Sequence, residues 1–319
     1  MWMPQVYHLF IAWCLPVFIT AYTCPTGTQS VSLNYLSGTA NGSSLLALTT
    51  QNGDPNNGTG PTNLTYAAGA PVSLNTSLGV PPGIQVWTVQ ATGYYQIVAA
   101  GAAGGPIPTF IPGNGDVVSN VYYFTTGQTV AVLVGQSPNA CGNLSFIYSS
   151  GGGGTFVSIY NASGNFSNPA QHTLVLVAGG GGGIGHGGPG DNALPGTTGN
   201  LCNNAANCNG IPATNGGGGG GGGRPGGSGT AGTSTNTANY AGGGGGFIGN
   251  GGNGYTGHTL GGASFLNGGV GGYAGLPTPW GTCVFGNGTL SVLPQGGFGG
   301  GGGGSTCGGG GGGYSGGQV

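Results

Sequence analysis

The sequence predicts a mainly β protein with little or no α-helix, in which an antiparallel sandwich is followed by a bundle of polyglycine helices. Three observations carry that prediction. Glycine supplies 83 of the 319 residues and proline 20, and glycine costs about 1 kcal/mol relative to alanine at each helical position. Short segments rich in Val, Ile, Tyr and Phe recur between residues 84 and 177, bounded by Gly, Asn or Pro. From residue 179 onward glycine exceeds two-fifths of the chain, yet aromatic residues keep returning between its runs.

Residues 1–21 read as a signal peptide. The eleven residues 9–19 (LFIAWCLPVFI) form an apolar run too short for a bilayer and suited to a signal core, with Ala21 as the small residue near a cleavage point. No later apolar run reaches membrane-spanning length, so no transmembrane anchor is expected. Residues 22–82 are rich in Ser, Thr and Asn, with short apolar patches such as 44–48 (SLLAL), and are expected to form weak strands and loops.

The sandwich is expected over residues 83–178. Its strands are read at 84–89 (IQVWTV), 94–98 (YYQIV), 121–124 (VYYF), 130–134 (VAVLV), 146–148 (FIY), 156–160 (FVSIY) and 174–177 (LVLV). Each is short, β-branched or aromatic, and closed by turn residues, the pattern of antiparallel strands.

Residues 179–319 carry glycine runs at 179–183, 216–223, 242–246, 299–304 and 308–313. Composition alone fits a flexible tether. Against that, Phe247, Ile248, Tyr255, Phe265, Leu266, Tyr273, Trp280, Phe285, Phe298 and Tyr314 interrupt the runs and are expected to pack them against the sandwich. An extended three-residue-per-turn helix makes no internal hydrogen bonds, so its buried N–H and C=O groups must pair with neighbouring chains. Only glycine admits neighbours on every side. An eight-residue run then spans roughly 25 Å.

Charge excludes several functions. The chain has one arginine (Arg224), no lysine, no glutamate and three aspartates (Asp54, Asp116, Asp191). Nothing here neutralises phosphates, so no nucleic-acid partner is expected. A net charge of −2 leaves little repulsion between copies, which favours association.

Seven cysteines fall to six once Cys14 leaves with the signal, an even number suited to an oxidising compartment. Among the connectivities open to six, the expected pairs are Cys202 with Cys208 as a local loop, Cys283 with Cys307 across the glycine region, and Cys24 with Cys141 by elimination. Asn-X-Ser/Thr sequons stand at Asn41, Asn57, Asn63, Asn75, Asn143, Asn161, Asn165 and Asn287. In a secreted chain they predict N-linked glycans, which add solubility that charge does not supply.

No catalytic, metal or cofactor site is expected. Gly313-Tyr314-Ser315-Gly316-Gly317 matches a nucleophile pattern, but only four residues follow Ser315 and none is histidine. Glycine repeats match dinucleotide fingerprints without meaning here, and a P-loop needs a lysine. His172, His186 and His258 with Asp191 lack metal-ligand spacing and are read as isolated polar residues in loops or between glycine helices. Asp191 and Arg224 are read as a structural ion pair or as plainly exposed.

Several segments together resemble the extracellular glycine-rich region of the anaplastic lymphoma kinase and leukocyte tyrosine kinase receptors. They are 83–89 with Ala91-Thr92, 101–105 (GAAGG), 132–136 (VLVGQ) with Cys141, 151–156, 174–183, and 296–317 (GGFGGGGGGSTCGGGGGGYSGG). The resemblance implies a tumour-necrosis-factor-like jelly-roll sandwich with polyglycine II helices inserted between its strands, and binding of a cytokine at the cell surface. The chain departs from the family in having no kinase, no transmembrane helix, no membrane-proximal cysteine-rich module and few acidic residues. It also stops at Val319, where the family has further strands. A sandwich without them is expected to present an open edge that a neighbour fills, with residues 28–48 as the first candidate donor and 6–19 as a second. Repeated head to tail, that contact builds a filament.

The expected function is therefore a secreted, N-glycosylated structural protein that assembles with itself through strand complementation and glycine-lattice packing. The alternatives are a soluble ligand-binding or adhesion module, and an ice-binding lattice, which needs a regular Thr or Ala face that the irregular run spacing does not provide.

Overall fold

The computed structural model describes residues 29–38, 45–50, 58–60, 72–73, 79–90, 92–107, 111–138, 149–184, 190, 192–193, 241–254, 259–273, 295–304 and 308–314. Within them the protein is mainly β. Nine strands occur: β1 (Gln29–Gly38), β2 (Leu45–Thr50), β3 (Val72–Ser73), β4 (Gln85–Thr88), β5 (Gly93–Ala100), β6 (Val117–Phe124), β7 (Thr129–Leu133), β8 (Thr155–Tyr160) and β9 (His172–Ala178). The helical content among the described residues is two single 3-10 turns, Pro169–Gln171 and Phe265–Asn267.

All strand pairs are antiparallel. One sheet has the order β2-β1-β5-β6 and the other β3-β4-β7-β8-β9. Strands from residues 29–73 thus join the sheets built by residues 85–178. Strand β6 begins four residues before the expected 121, because the polar Ser119-Asn120 interruption is carried on an edge strand, where it pairs with Val98 and Ile97. The expected strand at 146–148 and the glycine run at 216–223 lie outside the described residues, as do Tyr255, Trp280 and Phe285.

The two sheets face each other across one core. Trp87, Tyr95, Ile97, Phe124, Val130, Val132 and Val157 are buried there. The Trp87 indole meets Tyr95 and Phe124 edge-on at 5.3 and 5.8 Å between ring centroids, contacts that add about 0.5–1.5 kcal/mol each beyond burial. The second sheet is buried on its other face too. Val86, Ala131, Leu133, Phe156 and Tyr160 lie in a second core with Phe247, Phe265, Leu266 and Phe298 from the glycine-rich region. That explains the sequence of β7, Thr-Val-Ala-Val-Leu, in which nothing after the threonine is polar: Val130 and Val132 serve one core, Ala131 and Leu133 the other. Strand β5 instead alternates between buried and partly exposed residues, as a strand with one wet face must. The expected role of the interrupting apolar residues is met at Phe247, Phe265, Leu266 and Phe298 and, partly buried, at Ile248 and Tyr314, whereas Tyr273 is exposed.

The glycine segments grow from one end of the sandwich. Residues 101–105 continue β5, 134–138 continue β7 and 179–184 continue β9, while 111–116 and 149–154 lead into β6 and β8. Given the antiparallel pairing, these are all the same end. There the main chains bond directly across what had been two sheets: Asp116 N–H donates to Gly179 O at 2.8 Å, Gly113 to Gly182 at 3.0 Å and Ala102 to Gly153 at 2.9 Å. More distant segments join them. Gly180 N–H donates to Gly312 O (2.7 Å), Gly302 to Gly310 (2.7 Å) and Gly242 to Gly303 (2.8 Å). Successive N–H groups of one run go to different neighbours. Gly151 donates to Gly302, Gly152 to Gly181, Gly153 to Gln136 and Gly154 to Gly299. A strand, by contrast, alternates between two sides only.

Such proximity leaves no room for side chains. A Cβ at Gly153 would fall on the carbonyl of Phe298, and one at Gly297 on that of Gln136. Buried hydroxyls complete the network: Thr155 Oγ1 donates to Ala100 O at 2.6 Å and accepts from Gly135 N–H at 2.9 Å, and Ser149 Oγ accepts from Ile184 N–H at 2.7 Å. Gly153→Ala is expected to destabilise the protein by about 3 kcal/mol or more, the upper range for inserting volume into a packed interior. Gly79→Ala, where a Cβ meets open space at φ +69°, should cost only the left-handed backbone penalty of about 1–2 kcal/mol. Urea unfolding of the two variants measures the difference.

Candidate functional site

Among the described residues no group of three or more His, Cys, Asp or Glu side chains is placed to hold a metal ion, and no helix is long and apolar enough to cross a membrane. Among the described residues, three features bear on function: a hairpin turn, a histidine and a sheet surface.

The turn joins β8 to β9 and carries Asn161 and Asn165, both exposed. Each folds its sequon back on itself. Asn161 Oδ1 accepts from Ser163 Oγ at 2.8 Å and from Ser163 N–H at 3.3 Å, and Asn165 Oδ1 accepts from Ser167 N–H at 3.1 Å. The carboxamide oxygens are thereby engaged. Between the two sequon serines, Phe166 is driven into the second core, 1% exposed. The other predicted acceptors, Asn41, Asn57, Asn63, Asn75, Asn143 and Asn287, lie outside the described residues. So do all the cysteines, including Cys24, Cys141, Cys202, Cys208, Cys283 and Cys307, and likewise Arg224, Asp191, His186, His258 and Ser315.

The sequence reading put His172 in a loop or between glycine helices as an isolated polar residue; instead it opens β9 and is half-buried. Its ring stacks on Tyr160 at 5.0 Å and meets Phe166 edge-on at 4.7 Å, with Phe265 at 5.7 Å and Phe247 at 6.1 Å. Nε2 lies 2.8 Å from the carbonyl of Phe166 and Nδ1 3.1 Å from Ser158 Oγ. A carbonyl only accepts, so Nε2 carries the proton and donates, and Nδ1 accepts from the hydroxyl. Burial among aromatics holds the imidazole below its ordinary pKa, against the pull of the Phe166 carbonyl. The ring thus ties the hairpin turn to the glycine-rich segment as a neutral group. Sequence offered no signal for this, because Phe247 and Phe265 are remote in the chain.

The third feature is the outer face of the four-stranded sheet. Tyr94, Val117, Val121 and Tyr123 are exposed, and Tyr94 and Tyr123 pair edge-on at 5.1 Å. Strand β6 ends this sheet among the described residues. Two of its N–H groups that the ladder turns away from β5 are occupied by the preceding side chains. Val117 N–H donates to Asp116 Oδ1 and Val121 N–H to Asn120 Oδ1, each at 2.8 Å. Partial burial pushes the Asp116 carboxyl above its ordinary pKa, while the Val117 N–H pulls it down. A short polar residue before each valine, Asp116-Val117 and Asn120-Val121, was the sequence signal for these caps.

No protein-family model matches the chain, and no curated protein matches it.

The histidine gives a pH dependence with a defined sign. Its folded pKa lies below the unfolded value of about 6.5, so the unfolded chain binds the extra proton first and stability falls as pH drops below about 6.5 towards the folded pKa. His172→Gln keeps a donor for the Phe166 carbonyl but does not titrate. Thermal unfolding between about pH 7.5 and 4.5 should therefore show a shallower loss of stability in the variant than in the parent protein.

Proposed function

We propose that this is a secreted, disulfide-bonded and N-glycosylated structural protein that assembles with itself into an extracellular filament or matrix, at or beyond the cell surface. Strand complementation and packing of glycine lattices between copies build the assembly. The observation that carries this reading is the glycine bundle. A tether would leave its glycines solvated, but here run after run is bonded main chain to main chain, on a chain in which charged residues are 1% of the total. A protein with so little charge has no long-range repulsion to hold copies apart.

In this reading the bundle consists of polyglycine II helices and the sandwich is a jelly roll of the tumour-necrosis-factor type, as in the receptor region that the sequence resembles. The run 151–154, whose first three N–H groups reach three segments of the chain and whose fourth returns to the segment reached by the first, supports the first point. Glycans on the turn carrying Asn161 and Asn165 would hydrate a surface without charges. No catalytic step, cofactor or metal enters the function, and the partners are further copies of the chain.

A second reading is a soluble ligand-binding or adhesion module. The exposed Tyr94–Tyr123 pair beside Val121 favours it, since aromatic rings on a flat sheet face are common anchors for a partner.

Negative-stain imaging and size-exclusion chromatography of native material decide between the two. Filaments or sheets, with a mobility shift on removal of N-linked glycans, are the expected result. A uniform monomer that captures one defined partner would overturn it in favour of the module.

A further inference from the structure

Among the described residues, strand β1 reaches the rest of its sheet through one ladder. It pairs with β2, its own hairpin partner, and with β5: Val31 with Ala99, Ser32 with Val98, Leu33 with Ile97, Asn34 with Gln96 and Tyr35 with Tyr95. On β5, Tyr95, Ile97 and Ala99 are 1%, 0% and 0% exposed. Their register partners on β1 are Tyr35, Leu33 and Val31, and those of Val98 and Gln96 are Ser32 and Asn34. The alternation of β1 across residues 31–35 thus matches the alternation of β5. Beyond the hairpin the chain is fixed again at residues 58–60. Gly58 O accepts from Gly271 N–H at 2.9 Å, and Gly60 lies so close to Gly83 and the Phe298 ring that a Cβ would not fit. Seven residues, 51–57, separate the two, a reach of at most about 25 Å.

The sheet has another end at β6, which sets up a choice of routes for joining copies. Addition at β6 must first break the Asp116 and Asn120 caps on Val117 and Val121 N–H. Exchange at β5 breaks nothing that it does not remake, because the hairpin of a second copy reproduces the same ladder. Building on the self-assembly reading above, we propose that residues 29–50 of one copy seat on β5 of the next, and that this exchange, repeated head to tail, is the joint of the filament. The recipient's own hairpin is free to pass to a third copy, so the contact is heterologous and does not close. The partner is a second copy of this chain, recognised by the Val31–Tyr35 register on β5, while β6 stays a capped edge.

Cross-linking tests the joint in the full-length chain. Ser32→Cys and Val98→Cys are placed together in one chain, and Asn34→Cys with Gln96→Cys in another as an independent pair from the same ladder. Assembled material is treated with a short bismaleimide and run on a reducing gel, so that only introduced thioether bridges survive. The expected result is a ladder of covalent multimers from both pairs, together with covalent dimers when the two single-cysteine chains of a pair are mixed before assembly. Monomer bands alone, from material that imaging shows to be filamentous, overturn the exchange and leave self-assembly standing. Covalent dimers without higher rungs overturn the open-ended joint in favour of a reciprocal pair. Absence of any assembly overturns the exchange and the self-assembly reading together.

Discussion

Two sheets held apart by side chains cannot hydrogen-bond to one another. Sheets in a sandwich stand about 10 Å apart, while an N–H···O bond brings main chains within about 3 Å of each other. This protein makes the transition at one end of its sandwich, at a defined place in each strand. Ala100 gives way to Gly101, Val134 to Gly135 and Ala178 to Gly179, and Gly154 leads into Thr155. Up to that level the space between the sheets is filled by Trp87, Ile97, Val132 and Val157. Past it there is nothing to fill it with, and the chains close on one another. Much of the glycine-rich sequence follows, because each newly buried carbonyl and N–H needs a partner and side-chain-free runs come near enough on every side to be one.

The bundle does not stand by itself energetically. Ordering each residue costs about 1–2 kcal/mol, most for glycine, and a net hydrogen bond returns about 0.5–1.5 kcal/mol. What turns the balance is attachment. The strands deliver five segments already aligned, and Phe156, Phe265 and Phe247 stack in series at 5.3 Å per step, joining the second sheet to the glycine-rich region. His172 belongs to that attachment, bonded to both Phe166 and Ser158, so the turn between β8 and β9 and the seat of Phe247 share one neutral ring.

The local pattern of the strands was legible in the sequence, and their partners were not. Segments 84–89, 94–98, 130–134, 156–160 and 174–177 all overlap strands, since β-branched and aromatic content and flanking turn residues are local properties. Strand β6 was read too short because Ser119-Asn120 looks like a break, and only its pairing with Ile97 and Val98 shows an edge strand. The glycine runs gave away their close approach through the aromatics between them. Which run bonds to which has no local trace, because one glycine is indistinguishable from the next. The same holds for part of the surroundings of His172, where Phe247 and Phe265 come from 75 and 93 positions further on.

Near-absence of charge follows from the same geometry. A bundle of exposed and buried carbonyls offers an ionised group no counterion, and the one aspartate at its base, Asp116, is held in place by main-chain bonds to Gly101 and Gly179 while its carboxylate caps Val117. That carboxylate pays for its burial by guarding the β6 edge. A chain with so few charges, and with one guarded edge and one hairpin bound through a single ladder among the described residues, has few ways to meet its own kind. Intrachain and interchain seating of the β1–β2 hairpin use the same β1–β5 ladder, so the balance between a closed monomer and a joined chain rests on concentration, not on the strength of the ladder itself.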